Sequence, residues 1–164
     1  MKHAATRLLR TVTATPEFNL AVLALLFNFP WEVLQAPLFE GMAAAPHAIV
    51  ISACLQATLG DAMIVLLAHA SVAVATRRRH WMLALSRREV AGFVAVGIAI
   101  TTVIEWLATR GHWAQTWAYS SAMPLVPGIG VGLSPLLQWV IVPLIMLWFA
   151  HRQSAHAGVV DDQA

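Results

Sequence analysis

The chain has 164 residues, of which 59% are hydrophobic and only 11% charged, with a formal net charge of +2 and a mean hydropathy of +0.70. Soluble domains carry roughly a quarter charged residues, so this composition excludes an ordinary soluble domain and points to an integral membrane protein. A pI near 9.3 does not imply nucleic acid as a partner, because the positive residues flank apolar runs in short clusters instead of forming a basic face. The single cysteine, Cys54, excludes an intramolecular disulfide and CxxC metal sites.

Four apolar runs are long enough to cross a hydrocarbon core of about 30 Å. The first covers about 16–39, where Thr15 is placed to cap, Pro16 occupies the first turn and Glu17 meets the positive helix end. The second, 46–76, spans about 46 Å as a helix and must tilt or project. Ser86 and Glu89 have capping-box spacing at the start of the third, 87–109. Ser134 as cap with Pro135 behind it opens the fourth, 134–150. The expected fold is all-α: one polytopic membrane domain over 1–152, four transmembrane helices in an up-down bundle, with a disordered cytoplasmic tail over 153–164. The loop from 111 to 133 is aromatic, glycine-rich and apolar enough to fold back as a lid.

Charge sets the orientation. Lys2, Arg7 and Arg10 precede the first run; Arg77, Arg78, Arg79, Arg87 and Arg88 lie between the second and third; Arg152 follows the fourth. Only Arg110 falls on the other side, so the positive-inside rule puts both termini in the cytoplasm. Trp31, Trp106, Trp113 and Trp117 are expected in the outer interfacial belt, Trp81 and Trp148 in the inner one.

Polar residues inside these runs follow helical spacing. Asn28, Glu32 and Gln35 form one stripe; Cys54, Thr58 and Asp61 form another, continued inward by Ala68 and His69. Thr101 and Glu105 align, joined by His112 if the third helix extends that far, and Ser134 aligns with Gln138. The up-down topology brings Glu32, Asp61 and Glu105 into the outer half or near the midplane. A charged side chain there costs at least ~2.5 kcal/mol and therefore faces the bundle interior, pairs, or lines a cavity. Pro30, Pro37 and Pro143 free the carbonyls of Leu26, Val33 and Trp139 at the same depth. His69, towards the cytoplasmic side, reads as a packing histidine.

These residues describe an outward-facing pocket built from Glu32, Gln35, Asp61, Glu105, His112, Tyr119 and Gln138, suited to binding a small cation or polar ligand, with its transport as an extension of the same reading. Glu32, Asp61, Glu105 and His112 would suit a divalent metal as cofactor, although no HExxH or paired-histidine spacing is present. One alternative is a membrane-embedded enzyme on a lipid-linked substrate, using the two glutamates as acid and base. Another is an assembly or scaffold protein, in which the amides and carboxyls only fix helix packing. Membrane lipid is an expected partner, and the small residues of the third helix, Gly92 and Gly97 among them, offer a close-contact face for a homo-oligomer.

The stretches "WEVLQAPLF", "LGDA", "EWLATRGHW" and "MPLVPGIGVGLSPLLQ", taken together, resemble small bacterial four-helix inner-membrane proteins of uncharacterised function. The resemblance implies the helix count and the cytoplasmic (inner) membrane as location, and carries no catalytic assignment.

Overall fold

The structure, a computed structural model, describes residues 15–112 and 116–161. Lys2, Arg7, Arg10 and Trp113 lie outside the described residues. The described chain is all-helical, with four long helices: α1 (Pro16–Gln35), α2 (His47–Thr76), α3 (Arg87–Ala108) and α4 (Leu133–Asp161). All four are long and apolar enough to cross a membrane. At 1.5 Å per residue the 20-residue α1 spans about 30 Å and the 30-residue α2 about 45 Å.

Local chemistry explains most of the helix ends. Proline opens α1, with Thr15 at the N-cap position but making no side-chain capping bond. Pro37 cannot continue the ladder, and the chain tightens into a 3-10 turn over Ala36–Leu38. Arg77 ends α2 in the left-handed region, φ 55°. Arg77 and Arg78 then return their amides to the carbonyls of Val74 and Ala73, a Schellman closure made by arginine where glycine is usual. Both halves of the Ser86–Glu89 capping box are formed at the start of α3.

Two expected boundaries move. Ser134 lies one residue inside α4 and its hydroxyl turns to another helix, so it is not the cap. Residues 153–161, expected to be an unstructured tail, continue α4, since that stretch contains no proline to interrupt the backbone ladder.

The helices pack in the cycle α1–α2–α3–α4, each against its two neighbours. Contacts at the two ends fix the up-down arrangement. At one end Arg79, just past α2, pairs with Glu17 at the start of α1 at 2.8 Å, and Arg78 pairs with Glu89 of α3 at 2.8 Å. At the other end the α1–α2 and α3–α4 connections touch: Glu40 N donates to Ala118 O and Ser120 N to Leu38 O, both at 2.9 Å.

Towards the arginine-rich end the interior is apolar, filled by Leu20, Ala24, Val65, Phe93, Trp139 and Met146. Trp81 belongs to this core. Expected in the inner belt, it is instead fully buried, with its ring 5.7 Å from His69 and 5.6 Å from Phe93. The short turn Trp81–Leu83 folds inward under the bundle and carries the indole with it. Trp106 and Trp148 remain exposed, each with an arginine (Arg110 and Arg152) stacked 4.6 Å above the ring.

The bundle exterior carries many large apolar side chains. Leu34 is 78% exposed and Met63 65%, in company with Leu26, Leu55, Leu59 and Val103. In water such a surface would drive association; against lipid it costs nothing.

Gly97 is required by close packing. A Cβ at that position would stand 1.9 Å from Trp139 Cε3, whereas one at Gly92 would meet only Val72 Cγ2, at 3.5 Å. Gly97 is thus turned to Trp139 within the chain, and Gly92 faces Val72, while Ala91, Ala95 and Ala99 of the same helix are exposed. Gly97→Ala should destabilise the protein by about 1–3 kcal/mol, because the indole must move. Gly92→Ala should be neutral or mildly stabilising through higher helix propensity. Thermal unfolding of both variants in one detergent checks this contrast.

Candidate functional site

The stripe on α1 faces the centre of the bundle, with Asn28, Glu32 and Gln35 all buried. Gln138 of α4 reaches the same place and is buried as well. The two amides organise the site. Gln35 Nε2 donates to Glu32 Oε1 at 2.7 Å and to Gln138 Oε1 at 3.2 Å. Its oxygen accepts from Ser134 Oγ at 2.8 Å and Trp31 Nε1 at 3.2 Å. Gln138 Nε2 donates to Asp61 Oδ2 at 2.8 Å and Asn28 Oδ1 at 2.9 Å. Asn28 Nδ2 closes the chain on its own helix, at Ala24 O, 2.9 Å away. Both glutamines therefore use both amide hydrogens, a degree of satisfaction that fixes their orientation and rigidifies the site.

The carboxyl groups of Glu32 and the half-buried Asp61 lie close enough to interact directly. A contact between two carboxyl groups is favourable when a proton is held between them and repulsive when both are ionised. Among the described residues no basic side chain pairs with Glu32, Asp61 or Glu105.

Glu105, 8% exposed, lies within electrostatic range of both other acids and is served by a separate set of donors. Trp117 Nε1 donates to its Oε2 at 3.1 Å, and the Tyr119 hydroxyl donates to the same oxygen. These rings stand two residues apart on an extended stretch of loop. Phe39 and Tyr119 form an antiparallel bridge with their rings 5.8 Å apart, which holds that stretch against the end of α1. The loop then doubles back: Val126 N donates to Val131 O at 2.8 Å and Leu133 N to Pro124 O at 2.7 Å. Gly132, where a Cβ would come 3.1 Å from Tyr119 Cε1, lets this hairpin lie against the ring.

The structure thus brings together Glu32, Gln35, Asp61 and Gln138, with Glu105 and Tyr119 beside them, and leaves His112 out. Gly111, at φ 74°, terminates α3 in the left-handed region, and His112 N returns to Leu107 O at 2.8 Å. His112 is consequently exposed and stacked on Trp106, off the Thr101–Glu105 stripe. The expected metal set of Glu32, Asp61, Glu105 and His112 is not assembled: among the described residues no group of three or more His, Cys, Asp or Glu is placed to hold a metal ion. Two tryptophans expected in the outer belt, Trp31 and Trp117, instead donate to the site. Their position near the outer helix ends is the one sequence signal that would have put them within reach.

No protein-family model, curated protein or solved structure matches the chain. Its class therefore rests on the helices themselves: an all-helical bundle whose four long helices have the length and composition of multi-pass membrane spans. Within that class, the particular feature of this chain is an interior layer of three acids and three amides beneath an aromatic loop.

Tyr119 lies outside the spans, and its phenol is pushed well above the ordinary 10.0, first by burial and then by its bond to, and charge repulsion from, Glu105. It therefore remains a donor throughout the usual pH range. As the only tyrosine in the chain, it can be titrated directly by tyrosinate absorbance. The folded protein should show no tyrosinate near pH 10, the denatured protein should titrate normally, and Glu105→Gln should lower the folded midpoint. Because the folded value is raised, the associated stability is complete below pH 10 and is lost as pH rises from there towards the folded value.

Proposed function

We propose that the chain is a multi-pass protein of the bacterial cytoplasmic membrane, with both termini inside, whose Glu32–Asp61 pair takes up a small cation from the outer side in exchange for the proton the pair holds. Glu105 supplies a third negative group nearby, and the loop carrying Trp117 and Tyr119 covers it. The observation that carries the reading is the pairing of the Glu32 and Asp61 carboxyls inside the bundle, where among the described residues no basic side chain pairs with either. Structure alone is served by amides, as Gln35 and Gln138 demonstrate in the same layer, whereas an intramembrane acid is expensive and is retained where charge or a proton must move. A one-for-one exchange of the held proton for a monovalent ion leaves the net charge of the pair unchanged, and this is the stoichiometry the test reads.

Thermal unfolding in detergent across Li+, Na+, K+, Mg2+ and Ca2+, with a pH-indicator dye present, tests the proposal. A monovalent ion at a hundredfold excess over its Kd should stabilise the wild type by about 2.7 kcal/mol, on the order of 5–10 °C in Tm for a chain of this size. Proton release should accompany it. Both effects should vanish in a folded Glu32→Gln, Asp61→Asn double variant. If no cation shifts either protein and the variant is merely less stable, the carboxyls are structural and the proposal fails.

The orientation has its own test. In a Cys54→Ala background, an impermeant maleimide applied to intact cells should label Ala44→Cys and Ser121→Cys but not His80→Cys; the reverse pattern would invert the topology.

A further inference from the structure

A groove lies away from the carboxyl layer, at the arginine-rich end between α3 and α4. It has a volume of about 430 Å³. Its walls are apolar, formed by Leu85, Val90, Val94 and Leu144, while Ser86 and Arg87 stand at one end. From Ser86 to Val94 it follows α3 for about 12 Å at 1.5 Å per residue, close to the depth of one leaflet of a hydrocarbon core about 30 Å thick. The groove is thus polar and cationic where a headgroup would lie and apolar for the length of a leaflet beyond.

Charge at this end is only partly neutralised. Glu89 pairs with Arg78 and Glu17 with Arg79. Among the described residues no carboxylate pairs with Arg77, Arg87 or Arg88, and all three are exposed. Of these, Arg87 lines the groove itself. We infer that the groove is a binding site for one anionic phospholipid of the leaflet at this end, its acyl chain against Val90, Val94 and Leu144 and its phosphate held by Arg87, with Arg88 beside it. A second helix is a poorer occupant, since a groove about two turns long offers little face to a cylinder about 10 Å wide. The inference rests on the helices crossing a bilayer and is independent of the carboxyl site.

The test uses the full chain in detergent, with phosphatidylglycerol or phosphatidylcholine of identical acyl chains added, read by native mass spectrometry and by thermal unfolding. One phosphatidylglycerol should be retained in preference to phosphatidylcholine. Arg87→Gln should reduce that preference about fivefold, the effect of one arginine at an anionic surface, while Arg77→Gln, which removes equal charge outside the groove, should leave it largely intact. Ala91 also lines the groove and is exposed, so Ala91→Trp, filling it, should abolish retention of either lipid while leaving unfolding without added lipid near the wild-type temperature. Equal retention of the two lipids, equal loss in Arg77→Gln and Arg87→Gln, or undiminished retention in Ala91→Trp would each overturn the site. Failure of the chain to enter lipid nanodiscs would refute the bilayer placement, and the lipid site with it, but the cation titration in detergent would still judge the carboxyl pair.

Discussion

The constraint on which the loop-covered half of this structure depends is the cost of keeping carboxyl groups inside the helix bundle. Glu32, Asp61 and Glu105 come from three different helices and are met by hydrogen-bond donors in place of cations. A buried acid without partners would cost several kcal/mol, so the donors become as necessary as the acids. Gln35 and Gln138 supply this from α1 and α4, and their amide hydrogens link α1, α2 and α4 at one level. Register between these helices follows from that link, because sliding one helix by a residue would separate several bonds at once.

The two ends of the bundle are built on different physics. At the end opposite the arginines the backbone does the work: the loop is held by amide–carbonyl bonds to the end of α1, and two ring donors on it are delivered to Glu105. At the arginine-rich end, ion pairs and packing dominate. Arg78 and Arg79 tie the α2–α3 connection to α3 and α1, and Trp81 is pressed between His69 and Phe93. Between the ends, Leu20, Ala24, Val65, Phe93 and Trp139 form a dry plug. Polar groups at the two ends are therefore separated by packed apolar side chains.

Gly97 shows how tight that plug is. The indole of Trp139 occupies the space a side chain would need, and Pro143, one turn further along α4, is also fully buried. Both residues weaken a helix in isolation, and both stand where α4 is pressed into the bundle. Packing has overridden propensity, as is usual when a helix is held by its neighbours and not by its own ladder.

The sequence by itself determined the helices and the stripes. Apolar runs of bilayer length, proline and the Ser86–Glu89 pair mark the starts of α1 and α3, and spacing at three and four residues places Asn28, Glu32 and Gln35 on one face, since these are local consequences of 3.6 residues per turn. Tertiary structure decided what those faces meet. That Gln138 joins Asn28 to Asp61, across 110 and 77 positions of sequence, follows from which helices are adjacent, and no local pattern encodes it. His112 was separated from Glu105 by the backbone of a single glycine, Gly111. Trp117 and Tyr119 reached Glu105 because the loop is folded back by its bridge to Phe39. Trp81, with the same amphipathic ring as Trp148, went inward because the connection carrying it turns under the bundle. Loop path and helix adjacency are set by many weak contacts between distant residues, and only the assembled chain sums them.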